Sequence, residues 1–315
     1  MTATSQPVLI HTPPRATRID RIHDALHDLW REVASDEGEG GVARALTINF
    51  VAVVRAEDEG ALRLAADRLT QRSPARAFLV TLDNDLHAPA AEVAAVTRCS
   101  GSSRDTVLEE VRLRLPRSWF QHVPGLIRPM LIHDLPNHLY WADDWAESGG
   151  LDEVCDLCEH VIVDSRRFSL PAVQLPRLAT RREQGARFTD LSWLRLRPWR
   201  RALAEAFERV TWQPDPGLRG VVRHGRDATA GAILLAEWLA ARLGANIALE
   251  ESGCRGAACP ESVSLHGAGY DIEVTTADQF AIVKVTTAAA CHLPFRLPLS
   301  KGTDGDLLAA AIDIA

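Results

Sequence analysis

Apolar positions in the first half of the chain follow the pattern of a buried sheet covered by helices. Residues 45–54 form a nearly continuous apolar run rich in β-branched side chains, as expected of a strand that is buried on both faces. Residues 62–69 repeat apolar side chains at helical spacing, and a further strand-like run covers residues 76–82. This order predicts a βαβ unit, and therefore a parallel sheet with a right-handed crossover.

The same alternation of strands and helices continues to about residue 166. A helix is predicted to open at Thr17, with Asp20 at the position of a capping-box acid, and the first 16 residues are predicted to be a flexible tail. Further elements are expected as strands at 107–115, 137–141 and 160–163, and as helical segments at 124–135 and 151–158. Residues 17–166 are therefore predicted to be an α/β domain with a mostly parallel sheet.

Helices come first and strands follow in the second half of the chain. A helix is predicted to begin near Pro198, and a longer one covers residues 229–243 and ends at Gly244. The later segments are expected to be strands at 246–251, 263–266, 270–275 and 279–286, then a last helix at 305–314. We predict an α+β domain with an antiparallel sheet over residues 167–315.

Composition and charge exclude several classes of protein. The chain has 315 residues, of which 46% are hydrophobic, and its formal net charge of −7 lacks the basic footprint of a nucleic-acid binder. No apolar run approaches the roughly 18 residues of a membrane span, and residues 1–14 do not resemble a signal peptide. We expect a cytoplasmic protein with no membrane or nucleic-acid partner.

The sequence carries no recognisable catalytic or cofactor motif. The phosphate-binding patterns GxxxxGK[ST] and GxGxxG, the nucleophile pattern GxSxG and the metalloprotease pattern HExxH are all missing. Ser165 follows a predicted strand, but a turn residue that caps the next segment explains it without catalysis. The prediction is a protein with no catalytic residues, no metal and no cofactor.

Two cysteines at helical spacing leave three interpretations open. Cys155 and Cys158 would share one helix face, which suits a redox pair or half of a zinc site. Cys254 and Cys259 could supply the other half, although their separation is wide for a zinc knuckle. The third interpretation is unreactive thiols, with one of the first pair packed in the core.

Aromatic and basic residues are interleaved between residues 193 and 212. Tryptophan and arginine are enriched at binding hot spots, so this segment is a candidate partner surface. The competing interpretation has the tryptophans as core anchors and the arginines on a solvated helix face. The candidate partner-binding residues are Trp193, Arg195, Pro198, Trp199 and Arg200.

Five segments, taken in order, resemble one protein family. They read RALTINFVAVV from residue 44, RSPARA from Arg72, LPNHLYW from residue 135, HVIVDSRRF from residue 160 and DLSWLRLRPWR from residue 190. The set is similar to the OpcA family, the assembly proteins of glucose-6-phosphate dehydrogenase, and the last segment is the most specific. Arg72, Asn137 and His138 depart from the family pattern.

The resemblance implies a non-catalytic subunit that assembles with glucose-6-phosphate dehydrogenase and activates it allosterically in the oxidative pentose phosphate pathway. In photosynthetic members cysteines are linked to redox control, but Cys155 and Cys158 do not align with those cysteines. The alternative function is an α/β enzyme or sensor. It would bind a sugar phosphate or nucleotide at the carboxyl edge of the sheet, near Asp83, Asp164 and Ser165.

Overall fold

A computed structural model describes residues 8–35, 43–44, 46–70, 73–100, 103–144, 151–211, 213, 215–254, 259–299 and 302–314. The chain forms two compact units, and each is described by itself. Unit 1 comprises Met1–Val163, Arg182–Thr189 and Thr303–Ala315, and unit 2 comprises Asp164–Arg181 and Asp190–Gly302.

The helices and strands have the following bounds in chain order: β1 Val8–His11, β2 Arg15–Thr17, α1 Ile22–Ser35, β3 Ala43–Arg44, β4 Ile48–Arg55, α2 Glu59–Thr70, β5 Ala75–Asp83, β6 Ala90–Ser100, β7 Ser103–Pro116, α3 Val123–Ile127, β8 Asn137–Ala142, α4 Leu151–Cys155, β9 His160–Val163, α5 Pro171–Glu183, β10 Arg187–Asp190, α6 Leu191–Arg195, α7 Arg197–Phe207, β11 Arg219–His224, α8 Thr229–Leu243, β12 Asn246–Glu251, β13 Ser262–Gly267, β14 Tyr270–Ala277, β15 Phe280–Thr287, β16 Phe295–Pro298 and α9 Asp304–Asp313. Short 3-10 turns precede α1, α2, α3 and α8.

Unit 1 is built on a mixed sheet whose centre is parallel. The strand order is β1-β6-β7-β5-β4-β8-β9-β10, with β2 also on β6 and β3 also on β7. β4 pairs in parallel with β5 and with β8, whereas β6 pairs antiparallel with β7 and with β1. Residues 48–54 of β4 are all buried, which explains their continuous apolar run. The βαβ unit β4-α2-β5 is confirmed.

The antiparallel edge of this sheet was not expected from the sequence. β6 was not predicted, and residues 8–17, expected to be a tail and the start of a helix, instead supply β1 and β2. Thr17 ends a strand, and α1 begins at Ile22 after a short 3-10 turn. These segments are strands because β6 and β7 give their backbone groups partners, not because of a strong local pattern.

Unit 2 packs helices on one face of a mostly antiparallel sheet. The strand order is β12-β11-β13-β14-β15-β16, and the β11–β12 pair alone is parallel among the pairs described. Its core joins apolar residues of α7 and α8 to alternate residues of the strands. α8 has the predicted bounds, and Gly244 ends it in the left-handed conformation at φ 64°. β11 and β16 were not predicted.

The last helix lies with the first unit. α9 packs against α2 in unit 1, whereas the sequence placed its segment in the second domain. Thr303 and Asp306 form a reciprocal capping box at its start. Within the described residues, none of the helices combines the length and the apolar character needed to cross a bilayer.

Candidate partner-binding site

Two of the segments quoted above meet in unit 2 around a buried carboxylate. Arg195, the last residue of α6, donates two hydrogen bonds to Asp164, from Nη1 to Oδ1 at 2.8 Å and from Nη2 to Oδ2 at 3.0 Å. Arg166 Nη2 donates to Asp164 Oδ2 at 2.6 Å. Burial raises the pKa of Asp164, but the hydrogen bonds and charges of Arg166 and Arg195 outweigh it and hold that pKa at about 2.

A second buried carboxylate fixes the start of α6. Asp190 accepts the backbone N–H of Ser192 at 2.9 Å, which caps the helix, and the backbone N–H of Ser165 at 3.2 Å. Burial raises the pKa of Asp190 to about 6 and the charge of Asp164 adds to the rise, while the bonds from Ser165 and Ser192 oppose it. The two carboxylates therefore join the segment after β9 to the start of α6.

The candidate residues of this region divide between core and surface. Trp199 is 1% exposed and belongs to the unit 2 core, so it is not available for a surface contact. Pro198 is half-buried in the first turn of α7. Arg195 is held by Asp164, and only 10% of its side chain is exposed. These positions favour an internal role for Arg195 and Trp199.

Trp193 and Arg200 form a stacked pair at the margin of the core. The Arg200 guanidinium carbon lies 3.6 Å from the centre of the Trp193 ring, and Arg200 Nη2 donates to the Trp193 carbonyl at 3.3 Å. Both residues are half-buried. Burial, and then the charge of Arg197, lower the pKa of Arg200. An aromatic ring under a partly desolvated guanidinium is the kind of group that anchors a protein interface.

The two cysteines of the candidate redox pair are buried to different degrees. Cys155 is buried, Cys158 is half-buried, and neither forms a disulfide. Burial raises the pKa of Cys158, and the nearby Cys155 and Glu159 raise it further, which disfavours the reactive thiolate. Among the described residues, no three His, Cys, Asp or Glu side chains are grouped to hold a metal. The redox interpretation stays a prediction.

Ion pairs occupy the carboxyl edge of the parallel strands in unit 1. Asp143, after β8, is fully buried and pairs with Arg55 at 2.5 Å and with Arg117 at 2.8 Å. Because the chain leaves β4 toward β5 and later returns to β8, the gap between β4 and β8 is the switch point where such sheets bind ligands. Arg55 and Asp143 bridge it, a contact that sequence spacing did not reveal.

The turn after β4 also lacks the features of a phosphate-binding loop. Glu57 and Asp58 lie in this turn, and Glu59 is the first residue of α2. Negative side chains at a helix start repel a phosphate, which the N–H groups and dipole would otherwise attract. A cavity of about 310 Å³ beside this turn is lined by Arg55, Arg117 and by acidic and amide side chains. Its lining residues include Glu57, Asp83, Asn84 and Asp85.

Three further positions in the segments quoted above are Arg72, Arg76 and Ser165, and of these Arg72, like Trp212, lies outside the described residues. Arg76 is buried and donates from Nε to Glu109 at 2.6 Å and from Nη1 to the Met130 carbonyl at 2.7 Å. Ser165 is fully buried, in keeping with a turn residue rather than an exposed nucleophile.

A buried histidine pair was not predicted from the sequence, which singled out only His138, as a departure from the family pattern. His138 on β8 and His160 on β9 are register neighbours, with Nδ1 atoms 3.2 Å apart, and His160 Nε2 lies 2.9 Å from Thr189 Oγ1. Burial lowers the pKa of both rings. His138 and then Arg187 lower the pKa of His160 further, to about 4, while Glu159 opposes the shift of His138.

We expect this pair to make the stability of unit 1 depend on pH. The unfolded chain binds more protons than the folded chain between pH 6.5, the ordinary histidine pKa, and about 4. We expect up to about 3 kcal/mol of stability, present above pH 6.5, to be lost as the pH falls through that window. Urea unfolding at several pH values should show a flatter dependence for His160→Gln. The exposed His87→Gln should follow the wild type, and an unchanged slope in His160→Gln would contradict the assignment.

Comparisons with known proteins match both units of the chain. Two family models describe the domains of a glucose-6-phosphate dehydrogenase subunit. The model of its N-terminal domain matches residues 66–180, and the model of its C-terminal domain matches residues 186–314. Trp193, Arg200 and Asp190 lie in the match to the C-terminal domain, and Asp164 lies in the match to the N-terminal domain. The two buried carboxylates thus lie on either side of the boundary between the matches.

Curated relatives carry the description OxPP cycle protein OpcA. That of Nostoc punctiforme is 30% identical over 56% of this chain and 40% of its own length, and that of a Synechocystis species is 28% identical over 45% and 31%. The chain therefore spans two-fifths or less of these relatives. Among solved structures, a 3-ketoreductase from Actinomadura kijaniata is 11% identical, with a TM-score of 0.47 over 85% of this chain and 88% of its own.

Proposed function

We propose that this chain, a member of the OpcA family of glucose-6-phosphate dehydrogenase subunits, acts as a non-catalytic subunit that assembles with that dehydrogenase and activates it. The observation that carries the proposal is the match of both domain models, one after the other. The net charge of −7 supports a protein partner over a nucleic acid, and we place this assembly in the cytoplasm and in the oxidative pentose phosphate pathway.

The carboxyl edge of unit 1 supports the non-catalytic part of the proposal. The Arg55–Asp143 ion pair bridges the switch point, and Glu57, Asp58 and Glu59 surround the helix start that a phosphate would need. An enzyme or sensor for a sugar phosphate or nucleotide, the alternative, would have to use the neighbouring polar cavity. Titration calorimetry with glucose 6-phosphate and with a nicotinamide dinucleotide separates the two functions, because the assembly proposal expects neither to bind there.

Activation would work by a shift in population. A protein that binds the active form of the dehydrogenase more tightly than the inactive form favours the active form by the ratio of the two affinities. Pull-down of the dehydrogenase from lysate, followed by its kinetics with and without this chain, tests the proposal. Unchanged kinetics, together with no complex on a sizing column, would overturn it.

The Trp193–Arg200 pair is the proposed anchor for the dehydrogenase. We expect Trp193→Ala to weaken complex formation about tenfold or more, because a central aromatic anchor contributes over 1 kcal/mol. Calorimetric titration against the dehydrogenase measures this, and thermal unfolding of the variant reports whether unit 2 stays folded. Trp119→Ala, which removes an exposed tryptophan from unit 1, is the matched control and should bind normally. If Trp193→Ala and Trp119→Ala bind the dehydrogenase with equal affinity, Trp193 is not the anchor.

A further inference from the structure

The sheet of unit 2 has two unlike edges. β16, at one edge, ends in Pro298 and is preceded by Pro294, and proline cannot donate to an added strand. β12, at the other edge, runs Asn246–Glu251 without proline, lysine or a bulge. Within the described residues, β12 pairs with β11 and with no further strand. Natural sheets usually protect such an edge.

The hydrogen-bonding direction of β12 follows from the residue after it. Ser252 donates its N–H to the His224 carbonyl of β11 at 2.9 Å, so the backbone of Ser252 faces β11. Because successive residues of a strand face opposite sides, Asn246, Ala248 and Glu250 also face β11. The N–H and C=O groups of the intervening residues point outward, away from the sheet. These residues are Ile247, Leu249 and Glu251.

Leu249 lies on the helix-covered face of the sheet but is not fully covered. It is the register partner of Val222, a fully buried core residue, and partners in a parallel pair share a face. Ile247 is on the same face, where its Cδ1 closely approaches Gly220. Leu249 is nevertheless 44% exposed, because no strand lies beyond it. The core of unit 2 therefore continues to the edge and ends there uncovered.

We infer that β12 pairs with β12 of a second copy of this chain, antiparallel and with the two-fold axis at Leu249. In this register all three outward-facing residues form hydrogen-bonded pairs. Leu249 pairs with Leu249 of the second copy, and Ile247 of each copy pairs with Glu251 of the other. About six backbone hydrogen bonds result, since each such pair exchanges two. The two Leu249 side chains cover each other on the helix side, and the two sheets become continuous.

The charges on β12 are compatible with this register. Each glutamate lies opposite an uncharged residue of the other copy, Glu251 opposite Ile247 and Glu250 opposite Ala248. Like charges opposite each other would be destabilising. Within each copy, Arg226 pairs with Glu251 at 3.0 Å, and Arg223 lies 3.8 Å from Glu250. The edge is thus complementary to itself, as a two-fold interface must be.

The register can be tested by cross-linking. Opposite residues of a hydrogen-bonded antiparallel pair have Cα atoms about 5.5 Å apart, which a disulfide spans. Under mild oxidation, we expect Leu249→Cys to give a covalent dimer on a denaturing gel. Ala248→Cys is the matched control, because Ala248 lies diagonally from Ala248 of the second copy and not opposite it. Its side chain also points to the other face of the sheet from that of Leu249. The wild type, with exposed Cys254 and Cys291, sets the background.

The assembly can be tested independently by mass in solution. Sedimentation equilibrium at high micromolar concentration should give a dimer for the wild type. Leu249→Lys would place two ammonium groups next to each other on the two-fold axis, and it keeps the β11–β12 pairing within each copy. This variant should give a monomer of unchanged melting temperature. A wild-type monomer would overturn the inference. A dimer that persists in Leu249→Lys, or cross-linking that is equal at positions 248 and 249, would overturn it too.

Discussion

Replacing Asp164 with alanine is expected to destabilise unit 2 by about 3–5 kcal/mol, because it removes the buried carboxylate to which Arg195 and Arg166 both donate. The Arg195 side chain is only 10% exposed, so water can compensate little of the lost interaction. Denaturant unfolding followed by tryptophan fluorescence and circular dichroism would measure the change. The Asp164 carboxylate stays ionised from pH 5 to 8, because its pKa is about 2, so its own protonation does not reduce the effect in that range.

The control for this prediction is an ion pair of the same unit on the surface. Lys284 and Glu273 are joined at 3.0 Å, and about half of each side chain is exposed. Exposed pairs contribute about 0–1 kcal/mol, so Glu273→Gln should change the free energy of unfolding by no more than that. If Asp164→Ala lowers the free energy of unfolding by less than about 1 kcal/mol, the two arginines find other partners. Asp164 would then not be the residue that holds the two segments together.

Trp199→Ala is expected to cost about 3–5 kcal/mol of stability, the range for truncating a buried tryptophan. Trp199 is 1% exposed and belongs to the buried core of unit 2, so its removal is expected to leave a cavity there. Any loss of dehydrogenase activation by this variant would then follow from unfolding. Thermal unfolding, together with activation measured well below the melting temperature, separates the two effects.

Trp199→Phe keeps most of the buried volume and should lose much less stability than Trp199→Ala. The comparison with Trp193→Ala is the sharper one. That variant should retain the fold and lose affinity, whereas Trp199→Ala should lose the fold first. If Trp199→Ala stays fully folded and binds the dehydrogenase more weakly, the Trp199 ring contacts the dehydrogenase. That outcome would contradict a purely structural role for Trp199.

The local sequence pattern was sufficient to predict elements whose own residues mark them clearly. β4 could be recognised because both of its faces are covered, and α8 because its apolar residues and Gly244 mark its whole length. β6 was missed because it is rich in alanine and becomes a strand through pairing with β7. β1 and β2 are short, and their pairing with β6 in turn depends on that strand.

The sequence proposed the candidate site residues, but it did not show which of them lie in the core and which at the surface. Composition favoured a core position for the tryptophans over a partner surface but did not assign each ring, since both environments select large aromatic rings. In the structure, Trp199 is buried within the unit 2 core, while Trp193 lies at its margin under Arg200. The difference depends on how α6 and α7 pack on unit 2, and the chain spacing of six residues does not specify that.

The sequence by itself determined the family, the central βαβ unit and the lack of catalytic motifs, because these rest on residues that are close together in the chain. The tertiary structure alone decided which groups meet across long separations. Asp164 with Arg195, Arg55 with Asp143, and His138 with His160 are brought together by strand order and helix packing. Their pKa values and their contributions to stability depend on burial, which is a property of the whole fold and not of any single segment.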